Sequence, residues 1–541
     1  MVLKRPDLPQ PGLCVRYWSR VNSLRPFACL LGAAIAMATT LCVAQTAAQP
    51  SAQAAPAPGR PAIKLPGSQP RPAIELPDIG SPVDAVISRD DEYKLGLQVV
   101  RGLREQGQIL DDPEVNDYMQ SLGARIAAQT PDGQRQFQYF VVRDAAINAF
   151  ALPGGFVGVN SGLVLASANE AQLAGVLAHE TAHVTQRHIA RSIRAQGRQG
   201  LMTAGALLAA ILLGAAAGGS GDIAQGAIAI AQGSAAQAQI NFTRDNEYEA
   251  DRVGMGFLAA AGFDPNGMPD FFERIGRRDS LSASRIPQLL QSHPVTSIRI
   301  AESRSRAEQY PRTNTPESPS YEYARERIRV ISAARDADLR PFYRARAERQ
   351  ALRPSDQYGE SLAQLAAGQT ATACATLAVL VREQPGIPML QASLGQAQLA
   401  NGDNARALET YKGALSVSPR NVPLSVRYAD TLMRVGRAAE AHDLLLDLFN
   451  NVAPTPEQIR LTALAASAAG DTGDAYYYMG EFHIASGDLL LATKQLELAL
   501  AAPNLSSVQR ARFNARLKEI RDYLAEDRPH RQRKKETATI S

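Results

Sequence analysis

The chain has 541 residues, 45% of them hydrophobic and 20% charged, with a formal net charge of +4. That composition excludes a disordered chain, and the length allows roughly two to four domains. So small a charge gives no reason to expect nucleic-acid binding, and no interleaved aromatic and basic pattern of an RNA reader is present.

Lys4, Arg5, Arg16, Arg20 and Arg25 precede an uncharged run from Pro26 to Ala44. Small residues sit at positions fit for cleavage, Cys42 and Ala44 or Thr46 and Ala48. This is the layout of an export signal over 1–44, although a retained membrane anchor shares the outline. Cleavage would remove Cys14, Cys29 and Cys42 and leave Cys374, so no internal disulfide is expected. Export without disulfides fits a bacterial periplasmic protein. Residues 45–82 are rich in Ala, Pro and Gln and contain a near-duplicate, RPAIKLP and RPAIELP. Such a segment cannot bury a core and reads as a linker, the duplicate being a spacer or a docking motif.

From 83 to 345 the pattern is mixed. Asp91 to Gly107 and Asp112 to Gln129 have helical periodicity, while Phe137 to Asp144 and Ala149 to Val164 read as short strands around a Pro-Gly-Gly turn. AFALPGG is either an edge strand, able to take an extended peptide through its backbone, or a core strand. A long helix is predicted over Glu170 to Arg194, and it carries VLAHETAHV in a chain with seven histidines. His179 and His183 share one face of that helix, with Cβ atoms about 5–6 Å apart, so both imidazoles can reach one ion. Glu180 points about 100° away. It can touch a water on that ion but not easily become a ligand. This is the His-Glu-x-x-His zinc hydrolase arrangement. His188 would face about 140° from His183 on a continuous helix and is set aside as a third ligand.

The 23 residues between Arg198 and Asp222 are uncharged, and the uncharged character resumes from Ile223 through Ile240. The run is a lid or membrane-touching hairpin, a core helix, or a span. Beyond it, NEYEADRVG places Glu247 and Asp251 on one helix face. Two buried anions there need a positive partner. A metal would satisfy Glu247, and Asp251 could accept the free ring N–H of a bound histidine. Glu249 points elsewhere and reads as a surface charge.

Residues 346–525 repeat. Gly368, Gly402, Gly436 and Gly470 are spaced by 34, as are Ala373, Ala407 and Ala441. Small residues let antiparallel helices approach, and Pro385 and Pro419 end second helices. Gly480, Gly487 and Ala492 repeat the pattern out of register, as though half a unit were inserted. The array resembles tetratricopeptide repeats, which offer a concave surface to proteins or peptides. Residues 526–541 form a basic, solvated tail.

HETAH, the Glu-x-x-x-Asp of NEYEADRVG and SHPVTSIR (Ser292 to Arg299) together resemble the HtpX- and Oma-type zinc metalloproteases. The repeats and export signal are similar to those of periplasmic beta-barrel assembly-enhancing members. The resemblance, over about 85–525, implies an α+β, mostly helical metalloprotease domain followed by an α-solenoid of helix pairs. It implies one Zn2+ per chain held by His179, His183 and Glu247, with Glu180 and Asp251 as catalytic residues. It further implies action on unfolded or misassembled outer-membrane proteins alongside the barrel-assembly machinery. Such an ion acidifies its water, and Glu180 is the base that takes the proton and returns it to the leaving amine. His293 either fills a fourth zinc position at rest or is an ordinary loop histidine. Arg299 either stabilises the oxyanion or pairs with an acid. The alternative function is a periplasmic chaperone or scaffold without peptidase activity, and the intact zinc set argues against it.

Overall fold

The computed structural model describes residues 87–131, 137–195, 244–281, 288–311, 318–334 and 336–539. The export signal, the linker and the uncharged run at 199–221 lie outside these residues. No helix among the described residues is long and apolar enough to cross a membrane.

Helix α1 (Arg89–Glu105) starts at Ser88, whose side chain accepts from the Asp91 N–H. Asp112 caps α2 (Pro113–Ala127) in the same way, with Pro113 in the first turn where its missing N–H costs nothing. Strands β1 (Gln138–Val142), β2 (Ala149–Leu152) and β3 (Phe156–Asn160) form one sheet in the order β1-β3-β2. β1 runs parallel to β3 and β2 antiparallel, so β2 is an edge strand among the described residues. The Pro-Gly-Gly turn joins β2 to β3. Gly154 has φ of +83°, and a Cβ there would lie 2.4 Å from the Tyr93 Cα of α1. The strand expected to reach Val164 ends earlier, because Ser161–Ala166 is a short helix, α3.

Asn169 caps α4 (Glu170–Thr185), accepting from the Gln172 N–H. This helix is buried almost all round, as its apolar sequence requires. The single helix expected through Arg194 is two. Arg187 takes φ of +52°, ending α4, and α5 (His188–Ala195) sets off in a new direction. α6 (Arg244–Ala260) and α7 (Gly267–Leu281) pack on α4 through glycines. A Cβ on Gly254 of α6 would sit 2.8 Å from the Ala178 carbonyl oxygen, and one on Gly175 of α4 would sit 2.9 Å from the Met268 backbone. α8 (Gln288–Ser292) is tied to the β1–β2 loop by Leu289 N–H to Ile147 carbonyl, 3.0 Å. α9 (Ser297–Ala307), α10 (Pro319–Ser332) and α11 (Arg340–Ala347) complete this part.

The repeats comprise α12 (Pro354–Ala366), α13 (Thr370–Glu383), α14 (Pro388–Ala400), α15 (Asn404–Val417), α16 (Val422–Arg434), α17 (Ala438–Phe449), α18 (Pro456–Ala468), α19 (Thr472–Ala485), α20 (Leu489–Ala501) and α21 (Ser507–Thr539). Gly368, Gly402, Gly436 and Gly470 each end a first helix with φ between +78° and +86°. Gly487, also at +78°, makes a further tight turn one helix after Gly470. The inserted half-unit is therefore α19, which packs against α18 before it and α20 after it.

The apolar core does not stop at the start of the repeats. One cluster runs from Leu110 and Val115 through Leu177 and Phe271 to Tyr358, Leu377 and Leu394. A buried ionic knot reinforces it. Arg327 of α10 grips Asp112 with bonds of 2.6 and 2.7 Å, and Arg427 of α16 donates to Asp112 at 2.9 Å and to Glu114 at 2.6 Å.

Candidate metal centre

Three segments converge at the buried α4. α4 supplies His179, Glu180 and His183, α6 supplies Glu247 and Asp251, and the turn from α8 to α9 supplies His293 and Arg299. All seven are buried. The close approach allowed by Gly254 brings α6 to the level of His179, since its missing side chain also lies 3.0 Å from the His179 Cα.

His179, His183, Glu247 and His293 each offer one donor atom, all within 4.8 Å of one another. The two Nε2 atoms of His179 and His183 are 3.0 Å apart. Glu247 Oε1 lies 3.4 Å from His183 Nε2 and 2.9 Å from His293 Nδ1, while His293 Nδ1 is 3.4 Å from His179 Nε2. Donors about 2 Å from one tetrahedral ion are separated by roughly 3.3 Å, so the set has the right size. Glu180 stands beside it with both carboxylate oxygens buried and without hydrogen-bond partners. Its Oε1 is 3.6 Å from His293 Nε2. A buried carboxylate in that condition fits one that receives a water at the centre. The donor set and the unsatisfied base together fit a metal.

The remaining residues hold the donors. Asp251 Oδ1 lies 2.9 Å from His179 Nδ1, so that imidazole presents Nε2 to the centre. Arg299 donates to both Asp251 oxygens at 2.8 Å, pairs with Glu247 Oε2 at 2.7 Å and donates to the Pro294 carbonyl at 2.9 Å. Of the two roles weighed for Arg299, the structure places it against acids. Its guanidinium lies over the Phe272 ring, whose edge also meets His179.

Charge follows from this packing. Burial alone would raise the Asp251 carboxyl, but the hydrogen bonds from His179 and Arg299 hold it at about 2. Glu247 is likewise kept below the usual range against its burial, chiefly by His293. Burial pushes the His183 imidazole well down, and its histidine neighbours push the same way, so it is neutral as a ligand must be. His293 is opposite. Burial would lower it, yet Glu247 and Glu180 flank it and raise it to about 9.

Two residues set aside on helical geometry stand at this site. The break at Arg187 swings His188 back, and its Nδ1 lies 2.8 Å from His183 Nδ1. Glu249 is not a plain surface charge. Its Oε2 lies 3.2 Å from His188 Nε2 and accepts from Arg191 at 2.8 Å. The sequence gives no local signal for either contact, since Arg187 is neither glycine nor proline.

Comparison with known proteins accords with this geometry. The profile of peptidase family M48 matches residues 113–307, and that of the tetratricopeptide repeat matches 398–465. A Vibrio cholerae relative, described as a beta-barrel assembly-enhancing protease, is 36% identical over 450 residues, 83% of this chain and 92% of its own. The chain belongs to the beta-barrel assembly-enhancing protease family. The Escherichia coli (strain K12) member is 31% identical over 463 residues, 85% of this chain and 93% of its own. The mitochondrial metalloendopeptidase OMA1 of Arabidopsis thaliana is 28% identical over 190 residues, 35% of this chain and 36% of its own. Like other members of the beta-barrel assembly-enhancing protease family, the chain is a metalloprotease carrying tetratricopeptide repeats.

Proposed function

We propose that this metalloprotease binds one zinc ion through His179, His183 and Glu247 and works in the periplasm. There it cleaves unfolded or misassembled outer-membrane β-barrel chains, while its repeats dock the barrel-assembly machinery. The observation that carries the zinc assignment is the four buried donors within 4.8 Å beside the unpartnered Glu180 carboxylate. Imidazole and carboxylate donors at these spacings suit zinc. The relatives' name and length support the choice of substrate and partner. The domain plan that goes with it is an export signal at 1–44, a linker at 45–82, the protease at 83–345, the repeats at 346–525 and a basic tail at 526–541, into which the last helix, α21, continues as far as Thr539.

Zinc, when bound, supplies a Lewis acid that acidifies water and polarises a peptide carbonyl. Glu180 takes the proton of the attacking water on a carboxylate oxygen and delivers it to the departing amine. Asp251 fixes the tautomer of His179. Arg299 braces both Asp251 and Glu247, a positioning role in place of the oxyanion contact. His293 would take the fourth place beside Glu247 at rest only after giving up the ring proton that Glu247 and Glu180 favour, and substrate entry would require it to leave. β2, packed on α4, offers the docking strand. Asn160 N–H bonds to the Asn148 carbonyl, so by alternation the backbone groups of Ala149 and Ala151 face away from β3. Ala149 and Ala151 are buried in this structure, so an extended chain can pair there, with weak sequence selectivity, only once that edge is uncovered.

Metal content and casein hydrolysis test the reading. The purified chain should carry one zinc, lose hydrolysis to a chelator and recover on resupply. A folded chain with no divalent ion, inert after resupply, would overturn it.

A further inference from the structure

His179 and His183 both turn Nε2 to the centre, which leaves each Nδ1 facing away. That of His179 meets the Asp251 carboxylate. That of His183 meets another imidazole, the Nδ1 of fully buried His188 at 2.8 Å. Two ring nitrogens so close share one proton, so one donates and the other accepts. A histidine bound through Nε2 carries its proton on Nδ1. His183 is then the donor and His188 the acceptor. His188 must carry its own proton on Nε2, and that atom faces Glu249 Oε2 at 3.2 Å, where Arg191 also donates. In the reverse arrangement a bare His188 Nε2 would face a carboxylate, and the His183 Nε2 proton would point into the ion's place. Only one direction satisfies these three contacts among the described residues.

We propose that His188 is a positioning residue that fixes the zinc-binding tautomer and ring orientation of His183, with Glu249 and Arg191 closing the chain of donors and acceptors. The inference rests on the ligand set proposed above. A backbone feature supports it. On a continuous helix His188 would face about 140° away from His183. The left-handed φ of +52° at Arg187 is what turns it back. Such a conformation is disfavoured for a non-glycine residue, and it is held by the ion pair of Arg187 with Glu92 at 3.2 Å and its bond to the Ile87 carbonyl at 3.0 Å. The strain lies in the turn that aims His188.

The test is zinc retention by the full-length chain, measured by competition with a chromophoric chelator. His188→Leu fills similar space but accepts nothing, and zinc should bind about 10- to 100-fold more weakly. His188→Gln, with an oxygen to accept from His183 and an amide to donate to Glu249, should recover most of that loss. Parent-like retention in His188→Leu, or equal loss in both variants, would overturn the proposal, because packing alone would not separate them. Should His188→Leu fail to fold, Glu249→Leu decides. Without the carboxylate His188 is free to take the other tautomer, so zinc should bind several-fold more weakly, and unchanged retention sinks the idea. A parent chain that holds no zinc would remove the ligand set itself, a distinct outcome from altered retention in the variants.

Discussion

At the scale of single residues, the centre separates groups that hold from one group that reacts. Glu180 has no hydrogen-bond partner, while Glu247 and Asp251 are each gripped by Arg299. Glu180→Gln keeps the shape and removes the base. It should bind zinc as the parent does and lose about 10²- to 10⁴-fold in casein turnover; a Gln variant with substantial activity would show that the proton goes elsewhere. His293 calls for the opposite experiment. It lies 2.9 Å from Glu247 and 3.6 Å from Glu180, blocking the approach to both. If it shuts the centre at rest, His293→Ala should raise basal casein hydrolysis with zinc content unchanged, and no rise would leave it an ordinary neighbour.

At the scale of elements, the site depends on how closely α6 lies on α4. Gly254→Ala would place a methyl group 2.8 Å from the Ala178 carbonyl and push the helices apart at the level of His179. Overpacking of this kind costs about 1–3 kcal/mol, and here it also withdraws Glu247. Weaker zinc retention together with a lower unfolding midpoint is expected, and a variant with parent-like retention would show that α6 has slack. The same scale explains what could be read in advance. His179, Glu180 and His183 were legible because one helix fixes their spacing, and the repeat glycines because each supplies a left-handed turn every 34 residues. Glu247 and Asp251 were legible as a pair on a face, but their distance from α4 is set by Gly254, which pattern alone does not weigh. His188 was lost for the converse reason. Its orientation depends on a turn at Arg187 stabilised by Glu92, far away in sequence.

At the scale of the whole molecule, protease and repeats share one core, and the Asp112 knot crosses the join. Burial alone would raise the Asp112 carboxyl, but Arg327 and then Arg427 hold it well below the ordinary carboxylate range. The sign follows. A carboxyl lowered on folding adds stability that is complete above its unfolded value, about 3.9. That stability is lost as pH falls below it towards the folded value. Unfolding midpoints measured from pH 7 to pH 3 should therefore fall steeply below about pH 4. Asp112→Asn should flatten part of that fall. It should also destabilise the chain at neutral pH by up to about 3–5 kcal/mol, because buried Arg327 loses its two-bonded partner and keeps only Glu114 as an acidic partner, at 3.0 Å. Arg427→Met is the more telling variant, since Arg427 is contributed by the repeats while Asp112 and Glu114 belong to the protease. If the knot couples the two parts, this variant should split one cooperative transition into two. A single transition merely shifted in temperature would mean that the shared apolar core, from Leu110 to Leu394, is enough to make them unfold together.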